Sequence, residues 1–122
     1  MFLTITLKGK QYPARFTLRT AILAAERRGG SLSKLLRNEK QAEFIEDMPW
    51  LAIEMIKAGA AIREKETGII TKDVPELEDL LDTVDYADLL DLQKQILDVI
   101  NKDQPTVTAE GKEKNAEATP EN

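Results

Sequence analysis

The chain of 122 residues contains no cysteine and no histidine. The first absence excludes disulfides and thiol nucleophiles. The second removes the commonest general base and the commonest transition-metal ligand, and with it any Ser-His pair. Ser31 and Ser33 are the only serines. Both stand where a helix is expected to begin, a position in which the hydroxyl serves as a cap. Aromatic residues are scarce, with three Phe, two Tyr and a single Trp, so the core has to be built from Leu, Ile and Ala. The glycines (Gly9, Gly29, Gly30, Gly59, Gly68 and Gly111) form neither GxGxxG nor GxxxxGK[ST], which leaves no phosphate loop. Nor does any window approach the roughly 18 apolar residues of a membrane span. The first ten residues, MFLTITLKGK, have no basic region ahead of an apolar run. These absences lead to the expectation of a non-catalytic, unprocessed cytosolic protein with no cofactor, no metal and no membrane partner.

Charge is present in quantity and is unevenly placed. Residues 1–40 hold nine Lys/Arg and two Glu, a net +7, whereas residues 41–122 hold eight Lys/Arg and twenty Asp/Glu, a net −12. A basic front and an acidic back can attract within one molecule or head to tail between molecules. Asp79, Asp82, Asp85, Asp88 and Asp91 recur every three residues without the glycine of an EF-hand loop. That spacing suits the outer face of amphipathic helices. The basic front lacks an aromatic platform beyond Tyr12 and Phe16 and carries no nucleic-acid motif, and the chain as a whole is acidic, so nucleic acid is not the expected partner.

Residues 2–7 alternate, with Leu3, Ile5 and Leu7 on one face, and residues 12–16 alternate again with Tyr12, Ala14 and Phe16. This is the period of half-buried strands, joined here by a turn over Lys8–Gln11. Pro13 cannot donate to a ladder, so this strand is an edge or its Pro13 amide side faces outward. Thr17 is placed to cap a helix over Leu18–Arg28, whose apolar stripe is Leu18, Ala21, Ile22 and Ala25; Gly29-Gly30 stop it. A short helix from Ser31 or Ser33 through Arg37 follows, then a polar break at Asn38–Gln41 and a short segment, Ala42–Glu46.

Met48–Glu66 is the longest apolar run and holds Trp50. Proline is harmless in a first turn and damaging inside a helix. Pro49, with Asp47 as a natural N-cap, therefore predicts a central helix starting at Met48; the alternative is a continuous helix kinked at Pro49. On a helical wheel Leu51, Met55, Ala58 and Ile62 form one stripe and Ile53, Ile56 and Ala60 a second, with Ala52 and Gly59 between. A helix so largely apolar is flanked on two sides, and its small residues admit a close neighbour. Trp50 falls on the polar arc, where it is either packed on its own preceding turn or an exposed anchor.

Asp73-Val74-Pro75-Glu76 has the form of a capping box opening a helix over Val74–Asp82. Asp85 caps the last helix, Tyr86–Lys102, in which Tyr86, Leu89, Leu90, Leu92, Ile96, Leu97, Val99 and Ile100 cover half the circumference. From Asp103 the sequence is polar and too poor in apolar side chains to offset its ordering entropy. The expected architecture is mainly α with a small N-terminal β-hairpin (α+β). Four to five helices surround a central one in a single domain over 1–102, with a disordered acidic tail over 103–122. The residues set out as candidates for partner binding are Trp50, Ile53, Leu89, Leu90, Ile96 and Leu97.

The order of these elements resembles a known family. A hairpin, KGKQYPARF, runs into a helix ending AAERR; then come a proline-marked helix, DMPWLAIEMIKAG, an ITKDVPELEDLLD segment and a last amphipathic helix. This is similar to the tail assembly chaperones of long-tailed bacteriophages and prophages of Gram-positive hosts, over residues 2–102. The resemblance lies in architecture and local pattern, and there is no catalytic signature to carry over. It implies a helical protein of the bacterial host cytoplasm that binds the tape measure protein and keeps it soluble until the tail tube polymerises, with the tail tube protein as a second partner. It also implies self-association into a homo-oligomer. The alternatives from other classes are a small nucleic-acid-associated regulator using the basic front, and a structural tail component that stays in the particle.

Overall fold

The computed structural model describes residues 3–29 and 31–103. It is mostly helical with an N-terminal hairpin: β1 (Thr4–Leu7), β2 (Lys10–Pro13), α1 (Leu18–Arg27), α2 (Leu32–Leu36), α3 (Gln41–Thr67), α4 (Leu77–Thr83) and α5 (Tyr86–Asp103). Helix α3 touches both strands and each of the other helices, so the expected central position holds. The predicted tail lies outside the described residues from Gln104 onward, while Asp103 itself is the last residue of α5.

The hairpin turns on two residues, Lys8 and Gly9, rather than on four. Both have positive φ (52° and 82°), the conformation that matches the twist of a tight hairpin. Leu7 pairs with Lys10, Thr6 with Gln11, Ile5 with Tyr12 and Thr4 with Pro13. The Ala14 amide donates to the Leu3 carbonyl at 2.9 Å, continuing the alternation. In that register Thr6 and Pro13 turn their backbone groups away from the partner strand, so the missing N–H of Pro13 costs no ladder bond. The open edge at Thr6 is closed by α5: the Thr6 amide donates to Gln95 Oε1 at 2.7 Å, and Gln95 Nε2 donates to the Thr6 carbonyl at 3.1 Å. Ile5, Leu7, Tyr12, Ala14 and Phe16 are buried as their alternation predicted.

Beyond β2 the chain crosses α3 backbone to backbone. The Arg15 amide donates to the Met55 carbonyl at 3.0 Å. A Cβ on Gly59 would lie 2.5 Å from the Ala14 nitrogen, closer than atoms can approach. The small residue expected to admit a neighbour does so here.

Local cap chemistry was legible at three helix starts. Thr17 Oγ1 accepts from the Thr20 amide at 3.2 Å and Ser31 Oγ from the Lys34 amide at 3.0 Å. Asp85 and Asp88 cap each other's amides at 2.8 and 3.4 Å. Three other expectations are corrected. First, α3 does not begin at Met48: it runs unbroken from Gln41 through Pro49 to Thr67, the continuous helix held as the alternative. Asp47 is no N-cap because two arginines take its carboxylate, and Pro49 is buried against the core side of the helix. Second, the Asp73–Glu76 box does not form and α4 starts only at Leu77. Asp73 takes a left-handed φ of 60°, and its carbonyl accepts a bond from the Tyr12 hydroxyl at 3.0 Å; that turn serves to dock the hairpin. Third, only part of the stripe assigned to α1 faces the core: Ala21 packs against it and Ala25 is half-buried. Leu18 and Ile22 are 73% and 57% exposed, while Thr20 and Ala24 are buried.

Candidate functional site

Among the described residues no three His, Cys, Asp or Glu side chains gather as a metal site, and Ser31 is occupied as a cap. The densest polar cluster lies where α1 ends against α3. Asp47, fully buried, accepts from Arg27 Nε at 2.6 Å and from Arg28 Nη2 at 2.9 Å on Oδ1, and from Arg28 Nε at 2.9 Å on Oδ2. Glu46 takes further bonds from Arg27 and Arg28 at 3.2 and 2.8 Å, and Glu43 stands 3.9 Å from Arg28. The hydrogen bonds that Arg28 donates to Asp47 raise the Arg28 pKa above its ordinary value. Both carboxylate oxygens of Asp47 accept from arginines at a fully buried position, the arrangement of a structural ion pair. It is a clamp that fixes the rotation of α1 on α3.

Trp50 belongs to the same clamp. The Arg27 guanidinium carbon lies 4.3 Å from the Trp50 ring centroid, within the range of a cation–π contact. Its half-burial fits a ring with Arg27 over it and a side that lines a groove with Ile53, Glu54 and Lys57. Of the other candidates, Ile53, Leu89 and Ile96 are buried in the core, with Leu89 also lining a groove. Leu97 is half-buried against the core. Leu90, 41% exposed, is the one open to solvent.

Leu90 points to a surface that wheel analysis did not assemble. The apolar arc of α5 is wider than the core needs, and the surplus falls at its first turns. Tyr86 is 51% exposed. It lines a groove with Ile45 and Pro49 of α3, Leu80 and Leu81 of α4, and Leu89. Ile45 was missed because the helix was read as starting after it. Leu81 was missed because α4 reads as an acidic helix. Asp85 is the charged residue of its lining, and no Lys or Arg occurs between Asp73 and Gln93. The basic front is only partly neutralised at home. Arg15 pairs with Asp103 at 3.0 Å, Lys10 with Asp73 at 3.7 Å, and Arg27 and Arg28 with the clamp. Arg19, Lys34, Arg37 and Lys40, all exposed, have no ion-pair partner among the described residues.

Compared with family models, curated proteins and solved structures, the chain matches none. Among the described residues no helix is long and apolar enough to cross a membrane.

Proposed function

We propose that this chain is a non-catalytic binding protein, a tail assembly chaperone that holds the tape measure protein soluble in the host cytoplasm until tail tube subunits polymerise around it. The observation that carries the reading is the surplus apolar surface of α5 and its neighbours: Tyr86, Leu90, Ile45 and Leu81 stay open to solvent in a chain whose polar clusters are otherwise structural. An apolar groove of this kind suits the apolar face of a client helix. The succession of hairpin, helix ending in Arg27-Arg28, proline-marked α3, α4 and α5 is the order on which the family resemblance rests.

The test is co-expression with a tape measure protein. The client should shift to the soluble fraction and co-purify. No gain in solubility and no co-purification would sink the reading. The exposed cations Arg19, Lys34, Arg37 and Lys40 favour one second reading, a nucleic-acid-associated regulator. Salt-dependent retention on DNA would support that regulator, while persistence in purified virions would support a structural tail component.

A further inference from the structure

Helix α4 has little of its own to keep it in place. It is seven residues long, Leu80 is its one buried side chain, and its N-cap Glu76 makes no side-chain cap bond among the described residues. The chain reaches it through residues 68–76, which are neither helix nor strand. It lies along one stripe of α3. Ile45, Pro49 and Ile53 are spaced by four and so share a face of that helix. Leu80, Leu81 and Val84 share a hollow with Ile45 and Pro49. Leu77, with Val74 and Pro75, shares a second hollow with Ile53. The short helix therefore bridges two hollows that belong to one apolar stripe.

The hairpin holds it there. Lys8 Nζ donates to the Thr83 carbonyl at 2.9 Å, at the end of α4. Lys10 Nζ donates to the Lys72 carbonyl at 3.2 Å and stands 3.7 Å from the Asp73 carboxylate. The Tyr12 hydroxyl donates to the Asp73 carbonyl at 3.0 Å. Both ends of the segment over 72–83 are thus tied by hairpin side chains that reach main-chain carbonyls. The tied form carries two costs. Asp73 sits at a left-handed φ of 60°, and Thr71 Oγ1 is buried with no hydrogen-bond partner among the described residues. Both costs are relieved when residues 71–73 leave the hairpin.

We infer that α4 is a displaceable wall of the groove, a built-in occupant of the Ile45, Pro49 and Ile53 stripe. It is latched by Lys8, Lys10 and Tyr12 and swings on residues 68–76. Opening joins the two hollows into one trough. The trough then takes a partner helix of the same chemistry as α4, with leucines three and four residues apart. That partner is the client of the proposed function, and this part rests on that reading; the opening belongs to the chain alone.

Hydrogen exchange of backbone amides, followed by NMR on the chain alone, reads the opening. The Leu80 and Val84 amides are bonded to the Glu76 and Leu80 carbonyls. They should exchange about tenfold or more faster than the Val99 and Ile100 amides of α5, as a local opening requires. Lys8→Met/Lys10→Met and, separately, Tyr12→Phe should each speed α4 by about tenfold more, the upper end of what one hydrogen bond contributes, with α5 rates unchanged. Exchange of α4 in step with α5 in the wild type overturns the inference. So do variants that leave α4 unchanged, or that speed α4 and α5 alike. Tyr12→Phe keeps the buried ring and carries the test if the lysine variant loosens the hairpin. A captured client should bind the variants tighter by the factor that exchange gained, because a competing state has been weakened; equal binding overturns displacement by the client. A client that never binds, with the opening observed, sinks the client reading and leaves the hinged wall standing.

Discussion

Helix α3 meets α1 and the hairpin in one way and meets α4 and α5 in another. Toward α1 the contact is closed: a buried carboxylate takes bonds from two guanidinium groups, one of which stacks on Trp50. Toward the hairpin it is closed as well, with the Arg15 amide on the Met55 carbonyl and no room for a methyl group at Gly59. Toward the start of α4 and α5 the same helix leaves Ile45 at the edge of a groove in which Leu81 and Tyr86 also stay open to solvent. The difference separates two uses of charged and apolar residues. Saturated and desolvated, they set the orientation of elements. Left open, they are a surface awaiting something else.

The largest effect expected is from Asp47→Ala. It leaves two arginines with only the more exposed Glu46 and Glu43 and should cost about 3–5 kcal/mol, the range for breaking a buried ion pair, read as a loss in chemical denaturation. A cost under about 1 kcal/mol, the usual worth of a surface salt bridge, would show that the junction is not closed. Gly59→Ala comes next, at about 3 kcal/mol, near the top of the usual cost of overpacking because the obstructing atoms are backbone. A neutral result would mean that β2 sits farther from α3. Trp50→Ala should lower stability by about 2 kcal/mol, roughly half the cost of removing a fully buried aromatic. It should do so without changing client capture, because the ring faces Arg27. Full stability with lost binding would instead make Trp50 an anchor. Smallest is Leu90→Ala, expected within about 0.5 kcal/mol as for an exposed site. A large loss of stability there would mean that the groove is filled in the monomer and the contrast between the two kinds of contact disappears.

Much of the fold could be read from local pattern. Alternation placed the hairpin faces, because a strand with one buried side has a period that only one register satisfies. Thr17, Ser31 and Asp85 announced their helices through short-range hydrogen bonds that need no other part of the chain. The errors share a cause. Asp47 and Asp73 have strong local signatures, but their groups are claimed by distant partners. Arg27 and Arg28 took the carboxylate of Asp47, and the Tyr12 hydroxyl took the carbonyl of Asp73. The candidate partner residues fared likewise. An apolar arc names the residues that avoid water, but it does not say which of them a neighbour covers, so Ile53, Leu89 and Ile96 went to the core and Leu90 did not.

The sequence by itself determined the class of element at nearly every position, the separation of charge between front and back, and the absence of thiol and imidazole chemistry. These follow from composition and from periods of two and 3.6 residues, which are properties of the backbone. Only the tertiary structure decided how α1 is rotated and that α3 continues through Pro49. It also decided that Trp50 is a shelf for Arg27 and that a groove opens beside Tyr86. Each depends on which long-range partner reaches a given group first, and a buried charge, which cannot remain unpaired, outweighs the weaker preference of a helix for its own cap.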